Sequence, residues 1–174
     1  MASAPVSAQR PLREIPNSQV LDAADAYRAA YHLMQQQDPG SGVLLPELHC
    51  AFTAIELYLK AMSAFECEVP DTLGGGGAII YAKAAAAHHI LEKLFDAAPA
   101  DARSRMEDLR CASARLAKYA TVRDAFSGHD QLFMDSRYPY EVGRDFTGIT
   151  MEALHELVEL ASTAARTIQH RWQP

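Results

Sequence analysis

The chain has 174 residues, of which 49% are hydrophobic and 22% charged, and its formal net charge is −6. This length suits one domain with a substantial core, and the acidic balance excludes a uniformly basic coat for nucleic acid. No apolar run is long enough to predict a membrane span. The chain start lacks the apolar segment of a secretory signal, and three widely spaced cysteines give neither a disulfide framework nor a zinc motif. We therefore expect a reducing, cytoplasmic setting.

The first half of the chain predicts a tail, two helices and a connector. Residues 1–17 carry three prolines among small polar residues and are expected to be disordered or loosely docked. Apolar residues at steps of 4, 3, 4 and 3 predict helices over about 18–36 and about 45–66. Val69 and Pro70, followed by four glycines at 74–77, predict a flexible connector. The glycines lack the ending of a phosphate-binding loop, so we do not assign them that role.

The second half predicts three more helices. An alanine-rich segment is predicted to be helical over about 79–97, and another helix begins near Asp101 with a stripe that continues as far as Arg123. After an irregular stretch, the clearest stripe of the chain predicts a helix over about 150–172. No alternating strand pattern is convincing. The predicted fold class is all-α, an up-and-down bundle of about five helices in one domain over residues 18–174.

Arg123 and His129 form the first candidate site. A cation on an apolar stripe needs an acidic or anionic partner, and His129 follows six residues later, which on an unbroken helix turns it to another side. Gly128 allows the chain to unwind and to bring the imidazole back. Such a pair supports metal-independent phosphodiester cleavage, since histidine transfers protons near neutral pH and arginine stabilises phosphate charge. The alternative is an arginine and a loop histidine on the surface.

A second candidate site lies in the segment that contains Arg137, Tyr138 and Glu141. A guanidinium beside aromatic rings and a carboxylate can bind a phosphate and a base. The alternative is a loop held by tyrosine packing and an arginine–glutamate pair. Either reading is consistent with the modest positive balance of charge around this part of the chain.

Glu56 and Lys60 lie four residues apart on the second predicted helix. An i,i+4 surface ion pair is one interpretation, and the other is that Glu56 reaches inward to hold Arg123 or Arg137. No metal site is predicted, because the adjacent His88–His89 would point about 100° apart on a helix.

The chain resembles the HEPN superfamily in four segments spread over about residues 18–172. The matching segments are Ala54–Ala61 with its Glu and Lys, His88/His89 with Ile90, Leu91 and Leu94, Arg123-Asp124 with His129 in an R-x(4–6)-H pattern, and Arg137-Tyr138-Pro139. The resemblance implies a short helical bundle that pairs as a homodimer.

Active HEPN members imply a function for these residues. They are metal-independent ribonucleases, often in toxin–antitoxin or phage-defence systems with a nucleotidyltransferase-type antitoxin, and they need no cofactor. By resemblance, Arg123 would bind the scissile phosphate and His129 would act as general base or acid. Asp124 would orient the pair and Glu56 would brace it. A second function stays open: an inactive module that binds nucleotide or a partner protein through the loop from Arg137 to Glu141, with Lys60 as a further phosphate ligand.

Overall fold

The structure, a computed structural model, describes residues 13–38, 40–70, 78–84, 86, 88–129, 135–136, 150–168 and 171–173. Within these ranges the helices are α1 (Ser18–Gln35), α2 (Leu44–Ala61), α3 (Leu91–Ala97), α4 (Ala100–Ala112), α5 (Val122–Ser127) and α6 (Met151–Thr167). The strands are β1 (Arg13–Ile15), β2 (Phe65–Pro70), β3 (Ala78–Lys83) and β4 (Arg171–Gln173). The predicted mostly helical architecture is confirmed. Over the ranges described, no helix is both long and apolar enough to cross a bilayer.

Helix α2 lies at the centre of the molecule. It packs against α1, α6 and α3, while α4 packs against α6 and α5. Apolar residues occur on nearly every face of α2, and a helix of that kind is stable only when neighbours cover it. The largest fully buried side chains accordingly include Phe52, Ile55, Tyr58 and Leu59 of α2. The bundle therefore forms around α2, and polar side chains on this helix are carried into the interior.

The prediction of a helix over about 79–97 is wrong for the first half of this range. Ala78–Lys83 forms strand β3 and pairs antiparallel with β2, with Pro70 opposite Ala78 and Phe65 opposite Lys83. Two isoleucines and a tyrosine favour a pleated strand, and pairing with β2 outweighs the helix propensity of the flanking alanines. The expectation that the chain has no strand is therefore also wrong, and α3 begins only at Leu91.

The helix predicted to run from Asp101 through Arg123 is interrupted. Helix α4 ends at Ala112, where Ser113 takes an extended conformation, and α5 starts afresh at Val122. Thr121 and Asp124 form a capping box at this start, a local signal strong enough to begin a new helix. The apolar stripe predicted to lead into Arg123 therefore does not follow one helix, because residues 113–121 between α4 and α5 are not helical.

The two ends of the described chain lie side by side. Helix α6 ends at Thr167, short of the predicted 172, and β4 pairs antiparallel with β1. Asn17 is buried between β1 and α1, where its Oδ1 accepts a hydrogen bond from the Val20 backbone N–H at 3.1 Å. Its own N–H donates to the Ala61 carbonyl at 2.8 Å. Part of the segment expected to be a loose tail thus contacts the bundle, and residues 1–12 lie outside the described residues.

Candidate functional site

Arg123 lies on the surface of the bundle against α3. Its side chain is 48% exposed, and it forms ion pairs with Glu92 at 3.3 Å and with Asp96 at 3.2 Å. The hydrogen bond to Asp96, with the charges of both carboxylates, raises the pKa of the guanidinium. The expectation that an acidic group accompanies Arg123 is confirmed, and that group comes from a neighbouring helix.

His129 lies inside the bundle. It is 2% exposed, and its Nδ1–H donates to the Ala125 carbonyl at 2.6 Å, while its buried Nε2 has no hydrogen-bond partner. The His129 ring lies next to the rings of Phe52 and Tyr119 and is tilted relative to both. Burial lowers the pKa of His129, and the charge of Lys118 acts in the same direction. The structure gives the imidazole and the Arg123 guanidinium no shared contact.

Asp124 has a clear role in helix α5. Its Oδ2 accepts from the Thr121 backbone N–H at 3.0 Å, and its own N–H donates to Thr121 Oγ1 at 3.0 Å. These reciprocal bonds satisfy two backbone donors at the helix start. The carboxylate is therefore held at the N-terminus of α5 rather than between Arg123 and His129.

Glu56, Lys60 and His89 form a compact polar cluster, called here the Glu56 cluster. Glu56 is only 4% exposed, and its Oε1 pairs with the Lys60 ammonium and lies 3.0 Å from His89 Nδ1. Its Oε2 is buried without a hydrogen-bond partner. The predicted i,i+4 pair is thus formed, but it is buried rather than at the surface. Glu56 does not hold Arg123, which is paired with α3.

The Glu56 cluster joins two segments of the HEPN resemblance that are distant in sequence. Lys60 is 15% exposed and His89 is 51% exposed, so the cluster opens to solvent on the histidine side. Asp135 and Ser136 are buried immediately before the second candidate site. Arg137, Tyr138 and Glu141 themselves lie outside the described residues, so their predicted role stays a prediction.

A further polar cluster, which was not predicted from the sequence, lies between α1 and α6. His32 of α1 meets His155 and Glu159 of α6, with one ligand-type atom from each residue within 4.8 Å of the others. Arg28 also binds Glu159 from α1. The detectable signal was a histidine and a glutamate four residues apart on the best predicted helix, which places them on one face.

Comparison of the chain with protein-family models, with curated proteins and with solved structures gave no match. The resemblance to the HEPN superfamily therefore stays a prediction.

Proposed function

We propose that the chain is a HEPN-like helical module that binds a nucleotide without cleaving RNA. The observation that carries this proposal is the Glu56 cluster, in which a buried carboxylate, an ammonium and a partly exposed imidazole meet beside the start of α3. Charged groups are rarely buried unless they are paired, and pairing here is incomplete.

The unpaired oxygen of Glu56 defines what a ligand would supply. A buried acceptor without a donor costs about 1–3 kcal/mol, and a bound hydroxyl or amino group would remove that cost. Ribose hydroxyls and base amino groups are donors of this kind. Lys60 and His89 add N–H groups that suit the phosphate of the same ligand.

The segment from Arg137 to Glu141 supplies the remaining part of the proposed site. Asp135 and Ser136, which precede this segment in the sequence, are buried. In the proposal, the Arg137 guanidinium binds phosphate and the Tyr138 ring stacks on the base. Glu141 holds Arg137 in place.

The placement of His129 supports binding over cleavage. A general base must come within hydrogen-bond reach of the hydroxyl that it deprotonates. His129 is 2% exposed and donates its Nδ1–H to the backbone, whereas Arg123 is occupied by two carboxylates of α3.

The free cysteines fit the reducing cytoplasm in which we propose that the module acts.

Isothermal titration calorimetry with a panel of nucleoside mono-, di- and triphosphates tests this proposal. We expect saturable binding that weakens about tenfold or more in Glu56→Gln and in Arg137→Ala, since each removes a charge-assisted hydrogen bond. Arg105→Ala is the matched control, because Arg105 is an exposed cation on α4, away from the cluster. Circular dichroism verifies that each variant is folded. Absence of binding by the folded wild-type chain, or equal loss in the control, would refute the proposal.

A metal-independent ribonuclease is the second candidate. The observation in its favour is that His129 Nε2 has no hydrogen-bond partner, which leaves it free to move a proton if a homodimer partner opens this region. For this candidate function, the HEPN resemblance also implies a nucleotidyltransferase-type antitoxin as a partner. This candidate predicts RNA cleavage in EDTA with 2′,3′-cyclic phosphate ends, abolished by Arg123→Ala, whose exposed side chain can be removed without opening the core. Intact RNA at high protein concentration rejects it.

A further inference from the structure

We propose that His32, His155 and Glu159 form a binding site for a divalent transition metal ion, Zn²⁺ by its ligand set, between α1 and α6. One imidazole nitrogen from each histidine and one carboxylate oxygen lie within 4.8 Å of one another. Two imidazoles and a carboxylate are a donor set that Zn²⁺ binds in proteins. The inference is independent of the Glu56 cluster and of the proposed nucleotide.

The hydrogen bonds of His32 orient one ring nitrogen toward Glu159. Gln35 donates its Nε2–H to the Tyr31 hydroxyl at 2.7 Å, so its Oε1 faces His32 Nδ1 at 3.2 Å. With the amide in this orientation its oxygen accepts from Nδ1–H, which leaves Nε2 as the ligating nitrogen. In the neutral ring Nε2 then presents a lone pair, and it lies 3.1 Å from Glu159 Oε1, which is also an acceptor.

In this tautomer a metal ion placed between Nε2 and Oε1 would be bound by both acceptors. An outer hydrogen bond on the second ring nitrogen is the arrangement that fixes metal-binding histidines in their ligating tautomer. Gln35, itself held by Tyr31, provides that bond.

His155 contributes a second imidazole with unsatisfied capacity. Its Nδ1 is buried and has no hydrogen-bond partner, and its ring meets the His32 ring edge-on with centroids 5.6 Å apart. A buried ring nitrogen without a partner is uncommon and calls for a physical reason. One nitrogen of this imidazole lies within 4.8 Å of the ligand atoms of His32 and Glu159, so a metal ion shared by the three residues would take it as a ligand.

Arg28 holds the carboxylate in position. Its Nε and one terminal nitrogen donate to the two Glu159 oxygens at 2.9 and 2.6 Å. Each carboxylate oxygen has two lone pairs, so Oε1 can bind Arg28 and still face the metal position.

The three ligands leave one position of a tetrahedral site open. A cavity of about 340 Å³, lined in part by His155, Gln35 and Arg115, lies beside it. The side chains of His32 and Glu159 are about one-third exposed, so an ion can enter from solvent. We therefore expect water or a small anion as the fourth ligand.

Calorimetric titration of the chelator-treated full chain with ZnCl₂ tests the site. We expect one ion per chain, and affinity reduced more than about tenfold in His32→Gln and in His155→Gln. His88→Gln is the control, since His88 is an exposed histidine outside the cluster. Wild-type protein without Zn²⁺ binding, or binding that persists in both cluster variants, overturns the proposal.

Absorption spectroscopy with Co²⁺ gives a second readout that does not depend on calorimetry. A tetrahedral site should show intense visible d–d absorption in the wild type, and the same bands should vanish in His32→Gln. Thermal melts keep the variants interpretable: Zn²⁺ should raise the melting temperature of the wild type and of His88→Gln only, because binding stabilises the native state. A Zn²⁺-dependent shift that is equal in all variants contradicts the assignment.

Discussion

Burial determines what a single polar residue can do in this bundle, and His129 and Glu56 show opposite outcomes. His129 is enclosed by aromatic rings and keeps one backbone hydrogen bond. Glu56 is equally inaccessible, but Lys60 and His89 bring positive or donor groups to it. The histidine is therefore stabilised in its neutral form, whereas the glutamate forms the centre of a polar cluster open to solvent on one side.

The neutral state of His129 predicts a pH dependence of stability. Burial lowers the pKa of His129. The hydrogen bond to the Ala125 carbonyl opposes this shift, and the charge of Lys118 adds to it. In the unfolded chain the imidazole returns to a pKa of about 6.5, so below that pH the unfolded state binds a proton that the native state does not. The free energy of unfolding should thus fall on acidification from pH 7 to pH 5, with a slope of at most about 1.4 kcal/mol per pH unit from this residue.

Urea denaturation of wild type and His129→Leu at several pH values measures this contribution. Other titrating groups cancel in the difference between the two proteins, so the variant should have the flatter profile between pH 5 and pH 7. Exposed His88 gives the matched control, and His88→Gln should retain the wild-type profile. Parallel profiles for wild type and His129→Leu would show that His129 titrates normally in the native state.

At the level of elements, long amphipathic helices could be predicted from sequence and local breaks could not. Most residues of the apolar stripes that predicted α1, α2 and α6 are buried where these helices pack together, so pattern and structure largely have the same cause, although Tyr27 of α1 is exposed. Strand β3 was missed because its residues do not alternate in polarity, and Ile79, Ile80 and Tyr81 are all exposed. Its strand conformation depends on β2, which no local pattern reveals.

The capping box of α5 gives a prediction at the same scale. Thr121→Ala removes the side chain that accepts from the Asp124 N–H, and Asp124→Ala removes the reciprocal bond. Each change should cost about 1 kcal/mol, and the double variant should cost less than their sum because the two residues act as one motif. Denaturation midpoints of the two single variants and the double variant give the coupling energy.

Asp124 also carries a predicted functional role, and the same variants separate it from capping. If Thr121 and Asp124 serve only to cap the start of α5, Thr121→Ala and Asp124→Ala should both have small effects of equal size on ligand binding. A loss confined to Asp124→Ala, with stability matched between the two proteins, would indicate that the carboxylate orients Arg123 or His129 as the HEPN resemblance implies.

At the scale of the whole molecule, the sites depend on contacts between distant parts of the chain. Glu56 and His89 are 33 residues apart, and His32 and Glu159 are 127 residues apart. Residue types and spacing could place Glu56 with Lys60, and the resemblance could point to the segment with His89. Only the packing of α1 on α6 brings His32 to Glu159, and such packing is set by the whole core rather than by local sequence.

The pairing of β1 with β4 joins the two ends of the described chain and permits a test of register. Glu14 and Trp172 are opposite partners in this antiparallel pair. Opposite Cα atoms in antiparallel strands lie within the range that a disulfide can bridge. In a background with Cys111→Ser, which removes the exposed thiol, Glu14→Cys with Trp172→Cys should therefore cross-link on mild oxidation.

A cross-link at these positions encloses most of the chain in one loop. In the chain-entropy account, a loop of more than a hundred residues stabilises the native state by about 4–5 kcal/mol. Comparing the oxidised and reduced forms of the same double variant by urea denaturation isolates this effect from the loss of Trp172. The diagonal pair Arg13→Cys with Arg171→Cys is the register control and should cross-link slowly or not at all. Equal cross-linking of both pairs would mean that the two strands do not keep this register in solution.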